Sequence, residues 1–420
     1  MTRQEDLTVP EALALVLARF QPLAAERVSL LDALGRVLAE PVVAHDSLPP
    51  FANSSMDGYA LRAADVVAAS AESPAKLRVV ADIAAGQPSA VEVAPGTAAR
   101  IMTGAPLPEG ADAVVPVEDT DEPWRDRERP LPEWVAVRRQ VRTGDYVRYP
   151  GEDIRAGQKV LATGHVLRPQ ELGVLASLGV AEVAVVRRPR VGVLATGDEL
   201  VEVGAPLSPG KIRNSNGYAQ AAQVRALGGE PVILGIARDR EADVRTRLDE
   251  GVAASVDLLI SSAGVSVGAY DVVKAVLDEA GSVRFWRVRM RPGKPLAFGD
   301  YRGVPFLGLP GNPVSAMVSF EIFARPAILK MAGHSALGRP RVTVVVLEDL
   351  HSDGRESYLR AVVTRDERGY VAMTTGGQGS HMMTSLVLAN ALMIVPEGVS
   401  EVPAGTRLEA LMIDWPAGVF

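Results

Sequence analysis

Cysteine is absent from the 420 residues, which excludes disulfides, thiolate zinc sites, iron–sulfur clusters and a cysteine nucleophile. Histidine is scarce, at positions 45, 165, 334, 351 and 381 only, and the spacing contains no HExxH, so a zincin is excluded. No apolar run reaches the roughly 18–20 residues of a membrane-spanning helix. Met1 to Pro10 carries charges in place of the apolar region of a signal peptide. Basic residues are in the minority, 44 against 51 acidic ones for a net charge of −7. The overall field therefore pulls toward neither nucleic acid nor anionic lipid. The expectation is a soluble cytoplasmic chain without nucleic-acid or membrane partners, in which any anion site is a local basic cluster.

Hydrophobic residues make up 47% of the chain, enough at about 150 residues per domain for roughly three domains. Aromatics are few at 5%, whereas 39 Gly and 30 Pro favour many short elements. Leu13, Val16, Leu17 and Phe20 recur at helical spacing behind a capping Thr8, which predicts an amphipathic helix over 10–20. A second helix is predicted over 30–38, before Pro41 and a polar loop at 46–57. Short Val/Ile/Ala runs at 77–83, 98–102 and 112–117 read as a small β domain, with 119–134 as an exposed tip to which no function is assigned. After Arg187, strands at 191–195, 232–236 and 258–261 alternate with helices at 218–227, 241–252 and 272–280. That order indicates a parallel sheet with helices on both faces. Strands near 283–288 and 305–309, a closing helix over 314–330 and a β-rich tail follow.

Two familiar motifs need weighing. Gly204 to Lys211 resembles a phosphate-binding Walker loop but has one residue too many between its glycines, and Ile212 stands where Ser or Thr would bind magnesium. Gly264-Val265-Ser266-Val267-Gly268 satisfies GxSxG between a predicted strand and helix, as an esterase elbow does. The same residues also read as a glycine-rich turn whose amides bind an anion at a helix start.

A stronger signal comes from polar loops that follow successive strands, because ligands of such sheets bind at the strands' carboxyl ends. These loops are Thr196-Gly197-Asp198-Glu199, Arg213-Asn214-Ser215-Asn216, the segment at Asp239, Ser261 through Asp271, and Leu309-Pro310-Gly311-Asn312-Pro313. Asp198, Glu199, Asp239 and Asp271 beside a phosphate cradle imply a divalent hard cation between them and the phosphate oxygens, or else helix caps and surface pairs. Alternation along one strand places Arg287, Arg289 and Arg291 on one face, followed by Lys294, which reads as an oxyanion strip or as an edge-strand guard.

In order along the chain stand Asn53-Ser54-Ser55-Met56-Asp57-Gly58-Tyr59-Ala60, Thr103-Gly104-Ala105-Pro106, Gly151-Glu152-Asp153-Ile154, Thr196-Gly197-Asp198-Glu199-Leu200, Ser266-Val267-Gly268 and Leu309-Pro310-Gly311-Asn312-Pro313. With them the chain closely resembles, over essentially its whole length, the MoeA family of molybdopterin molybdenumtransferases, related to the E domains of gephyrin and of its plant counterpart. The resemblance implies a multidomain α/β fold. A discontinuous N-terminal α/β domain (1–50 and 142–186) carries an inserted β domain (51–141), followed by a doubly wound molybdopterin-binding α/β domain (187–335) and a C-terminal β domain (336–420). It implies a homodimer with a shared cleft, completed by the partner's Asp57 loop, and an upstream adenylyltransferase of the MogA/MoaB type. The implied reaction takes adenylyl-molybdopterin and molybdate, hydrolyses the adenylate with Mg2+ or another divalent cation, and yields molybdenum-molybdopterin and AMP.

Carried over by position, the resemblance implies catalytic roles for Asp57, Thr103, Asp153, Glu199, Asp239, Asp271, Arg287 and Arg291, with Glu199, Asp239 and Asp271 holding the metal. It implies substrate binding by Gly264, Ser266, Gly268, Lys294, Pro310, Asn312, Pro313 and Ser380, the last in Gly376-Gly377-Gln378-Gly379-Ser380-His381, which is similar to a loop that closes over the family's cleft. The two basic positions before Pro-Gly are commonly Lys in the family and are Arg287 and Arg291 here, which exchanges a point charge for a bidentate fork.

Overall fold

The computed structural model describes residues 5–88, 90–122, 130–262, 270–280 and 282–415, with the backbone alone at 5, 270, 271, 280 and 285. Thr8 starts the first helix as its position demands. Its hydroxyl accepts from the Glu11 amide at 3.3 Å while the Glu11 carboxylate accepts from the Thr8 amide at 2.8 Å, a reciprocal cap. The helix Val9–Ala18 buries Val9, Ala12 and Val16 in one core with Phe20, Ile328 and Met331. The second expected helix is replaced by a single 3-10 turn, Leu31–Ala33. Gly35 turns left-handed at φ +74 and breaks the repeat: Leu31 and Leu34 before it are exposed, whereas Val37 and Leu38 after it are buried.

Contacts divide the chain into two compact units, one of residues 1–28, 33–39 and 184–420, the other of 29–32 and 40–183. The first unit holds a seven-stranded sheet in the order Glu5–Leu7, Arg284–Val288, Pro295–Tyr301, Val304–Leu309, Leu258–Ser262, Arg190–Thr196, Glu230–Ala237. The βαβ portion is parallel as its alternation predicts, Arg190–Thr196 pairing in parallel with both Leu258–Ser262 and Glu230–Ala237. The sheet as a whole is mixed, because Pro295–Tyr301 runs antiparallel to both neighbours; the sequence joins these strands by short turns that leave no room for a crossover helix.

Helices Ser215–Ala226, Glu241–Ala253 and Tyr270–Ala280 accompany the parallel strands. The closing helix spans Pro313–Ser319 and Arg325–Met331 with a π-helical turn, Phe320–Ala324, between them. Pro326 lies just past that turn; having no N–H and a ring that crowds the preceding turn, it fits where the ladder is already widened.

The tail forms Arg341–Val346, Glu356–Asp366, Gly369–Thr374, Ala391–Val395 and Arg407–Met412. Because Glu356–Asp366 pairs with both Gly369–Thr374 and Ala391–Val395, these five strands close on themselves around Val344, Ala361, Met393 and Ala410. Closure removes the free edges that a small sheet would otherwise expose.

The second unit carries a five-stranded sheet in the order Ala113–Pro116, Gly58–Leu61, Thr97–Ile101, Ala75–Ile83, Trp134–Val137, which realises the predicted β runs. Tyr59, Leu61, Leu77 and Val115 pack on one face, Ala60, Ile101 and Val114 on the other. The interior strand Gly58–Leu61 is therefore buried on both sides, and its Gly-Tyr-Ala-Leu reads as an apolar run for that reason.

Candidate active site

The strands Arg190–Thr196, Leu258–Ser262 and Val304–Leu309 end side by side, and their carboxyl ends open into a cleft of about 860 Å3. Thr196, Ser262 and Pro310 at the strand ends line it together with Asn214 to Asn216, Gly311 to Pro313, Arg291 to Pro295, Arg355 and Gln378 to His381. Asn214 caps its helix by accepting from the Gly217 amide at 3.0 Å. Asn216 Nδ2 donates to the Gly311 carbonyl at 2.7 Å, which ties the Asn loop to the Pro-Gly-Asn-Pro loop. The amide of Val314 in turn donates to the Ser380 carbonyl at 3.1 Å, so the Gly376–His381 segment is held at the start of the closing helix.

Four basic side chains line the cleft, Arg213, Arg291, Lys294 and Arg355, against one acid, Glu199. Asp353 lies behind them, bonded to Arg355 and 3.6 Å from Arg291. The hydrogen bond from Arg355, with smaller help from Arg291, holds the Asp353 carboxyl below its usual range. Lys294 makes no ion pair among the described residues. A site of this composition in a chain of net −7 is built for an anion with several oxygens.

Glycine shapes two of these positions. Gly197, at φ +147, leaves the room in which the Glu199 carboxylate folds back; a Cβ there would lie 2.5 Å from Oε2. Gly293, at φ +110, passes so close to Ser319 that a Cβ would come within 2.4 Å of its hydroxyl, and this approach presents Arg291 and Lys294 on either side of the turn.

Of the expected site residues, Glu199, Arg291, Lys294, Pro310, Asn312, Pro313 and Ser380 line the cleft. Arg287 does not. Its strand ends at Val288, Arg289 donates its amide to the Leu7 carbonyl at 2.8 Å and pairs with Glu397 at 2.5 Å, and Met290–Arg291 joins the tail sheet beside Glu356 and Ser357. The alternation that would align Arg287, Arg289 and Arg291 thus stops at Val288, and Arg287 stands beside Asp6. Asp239 lies next to Asp198: the Asp198 amide donates to the Asp239 carboxylate at 3.3 Å, and the Asp239 amide returns the bond to Asp198 at 3.4 Å.

Among the described residues no three carboxylates or histidines converge as a metal site. Asp271 falls on the helix Tyr270–Ala280, described by its backbone, and Gly264, Ser266 and Gly268, with the GxSxG reading, lie outside the described residues. In the second unit Asp57 and Thr103 meet, Oδ1 accepting from the Thr103 amide at 2.7 Å and its hydroxyl at 2.8 Å. Asp153 lines a separate depression with Pro49, Arg148 and Glu152.

Sequence reasoning overlooked Arg355 and Arg360, and named Gln378 only as a member of the closing loop. Arg360 is 1% exposed and, among the described residues, has no carboxylate as a hydrogen-bond partner. Its guanidinium donates to Ser385 Oγ at 3.0 Å and to the Gly379 carbonyl at 3.2 Å, while its own amide and carbonyl bracket the Gln378 side chain at 2.9 and 3.2 Å. Burial lowers its pKa to about 10, so it stays charged at neutral pH. Arg360→Met should cost about 1–3 kcal/mol through the acceptors it strands, read by denaturant unfolding, and should raise KM for the anionic substrate more than it lowers kcat. Unfolding curves and kinetics that overlay those of the unmodified protein would refute this anchoring role.

Three family descriptions match the chain: the MoeA N-terminal region, domains I and II, over residues 7–179; a probable molybdopterin-binding domain over 192–330; and the MoeA C-terminal region, domain IV, over 343–413. Molybdopterin molybdenumtransferase 2 of Mycobacterium tuberculosis is 43% identical over 91% of this chain and 93% of its own length. The molybdopterin molybdenumtransferase of Haemophilus influenzae is 36% identical over 95% and 96%. Among solved structures, the molybdopterin biosynthesis MoeA protein of Pyrococcus horikoshii OT3 superposes with a TM-score of 0.79 at 28% identity, covering 97% of this chain and all of that one. The fold, the ordered motifs and these likenesses agree, and the chain belongs to the MoeA family of molybdopterin molybdenumtransferases.

Proposed function

We propose that the protein inserts molybdenum into molybdopterin, taking adenylyl-molybdopterin and molybdate and releasing molybdenum-molybdopterin and AMP. The observation that carries this reading is the cleft at the strand ends, where Arg213, Arg291, Lys294 and Arg355 face the Pro310-Gly311-Asn312-Pro313 loop. Cleaving a phosphoanhydride calls for positioning and for neutralising the charge that develops on the phosphate oxygens, which fixed cations supply in a partly dry cleft. Lys294, without an ion-pair partner among the described residues, and Arg291, loosely placed against Asp353, are the groups free to turn onto those oxygens. Ser380 and the Asn216 amide add polar contacts that orient the substrate. Molybdate, a tetrahedral dianion, suits the Arg355 and Ser380 side.

The donors suit magnesium, which takes one or two protein carboxylates and fills its shell from substrate phosphates and water. Glu199 on the cleft, with Asp239 and Asp271 as its expected companions, would hold it, and when bound it would supply charge neutralisation for the leaving adenylate. The protein acts in this proposal as a cytoplasmic homodimer in which Asp57, positioned by its bonds to Thr103, completes the partner's site, supplied by an adenylyltransferase of the MogA/MoaB type.

AMP release from adenylyl-molybdopterin should require both molybdate and magnesium, and Glu199→Gln should lower it about 100-fold while substrate still binds. Substrate that binds yet yields no AMP with both additions present would instead mark a carrier of the same fold.

A further inference from the structure

A second cavity, about 410 Å3, opens at the other end of the parallel strands, where Pro189 enters the strand Arg190–Thr196 and the helix Ser215–Ala226 ends. Four arginines line it, Arg36, Arg187, Arg188 and Arg225. Asp257 binds Arg187 with two bonds, at 2.8 and 2.5 Å. Glu26 pairs with Arg36, which also donates to the Val186 carbonyl at 2.9 Å. Arg36 is 9% exposed, and its Nε is buried without a hydrogen-bond partner among the described residues. Arg188 and Arg225 are exposed and make no ion pair or hydrogen bond through their side chains among the described residues.

The charge balance favours an anion even after the helix ends are counted. Two helices, Ser215–Ala226 and Arg325–Met331, finish at this cavity, and each carboxyl end carries about half a negative charge. Together they offset about one of the two free guanidinium groups. His334, on the rim, is held below its ordinary pKa by burial and then by Arg325 and adds no charge at neutral pH. The remaining walls, Val186, Pro189, Leu227 and Leu329, are apolar. A volume within the range of small-molecule sites, apolar walls and a few convergent donors together describe a pocket for an amphiphilic anion.

We infer that this cavity is a second anion site, separate from the cleft, which takes a phosphate monoester carried on an apolar or aromatic body. Arg188 and Arg225 are the two forks that would take the dianion's oxygens, and the apolar walls would hold the body.

Titration calorimetry of the full chain with AMP as the probe tests this. A Lys294→Ala background weakens binding at the cleft, and Arg188→Ala with Arg225→Ala is then added; both arginines are exposed, and unfolding curves check that the fold is kept. Saturable AMP binding in the Lys294→Ala protein that weakens at least tenfold when both arginines are removed is the expected result. No AMP binding by the Lys294→Ala protein up to millimolar concentration overturns the proposal, as does binding indifferent to the arginine changes. Inorganic phosphate should compete at least tenfold more weakly than AMP; equal competition would overturn the part assigned to the apolar walls.

Discussion

Arg291→Ala combined with Lys294→Ala should reduce molybdate-dependent AMP release about 10,000-fold, the product of two losses of about 100-fold each, as when one preorganised charge partner is removed from a phosphoryl-transfer site. Both side chains are exposed, so the unfolding midpoint should move by no more than about 2 °C. The turn between them is fixed by the approach of Gly293 to Ser319, so the backbone carrying the two charges is set while their side chains stay free to reach the phosphate. Arg291→Lys alone tests what kind of cation is needed. A point charge should restore turnover to within about tenfold if neutralisation is the role, whereas a site dependent on a bidentate fork should remain impaired. Residual activity within tenfold of the unmodified protein in the double variant would remove the cleft from the reaction.

The largest expected effect on stability belongs to Gly58. It lies in an interior strand of the five-stranded sheet, opposite Ile101 on one side and Pro116 on the other. A Cβ there would sit 1.9 Å from the Val115 carbonyl oxygen and 2.9 Å from its carbon. The obstacle is backbone, so no side-chain rotation relieves it, and the strands must separate. Gly58→Ala should cost about 4 kcal/mol or more, the range reserved for backbone strain and broken packing, with loss of the cooperative transition of residues 40–183 in calorimetry. A midpoint shift below about 2 °C would show that the pairing yields without cost. Asp57 adjoins this glycine, and its bonds to Thr103 would be lost with the strand.

Much of this was readable from residue order because it depends on local pattern. Thr8 and Glu11 announce a cap three residues apart, and the strands 190–196, 230–237 and 258–262 each announce themselves as short apolar runs between helix-forming segments. The Pro-Gly-Asn-Pro loop is legible for the same reason. Arg287 was misplaced because alternation presumes one continuous strand, and nothing local signals that Met290 leaves its sheet for the tail. Arg355 and Arg360 were invisible for a different reason. Arg355 reaches the cleft, and Arg360 comes under the Gln378–Gly379 segment that lines it, only because tail segments fold beside Met290–Arg291 and beside one another, juxtapositions that no spacing rule encodes. The helix expected over 30–38 failed where a left-handed glycine separates the outward-facing Leu31 and Leu34 from the buried Val37 and Leu38.

The strand Glu5–Leu7 has a temporal consequence. Its partner in the sheet is Arg284–Val288, which leaves the ribosome only after the whole intervening chain. At about 5–20 residues per second, the wait is on the order of 15–60 s. Residues 40–183, whose sheet and cores are internal to that stretch, can finish folding during it, while Val9, Ala12 and Val16 have no core to enter until the closing helix with Ile328 and Met331 is made. Nascent chains stalled before Arg284 should therefore protect the sheet of residues 58–116 from protease and leave residues 5–18 open to chaperones.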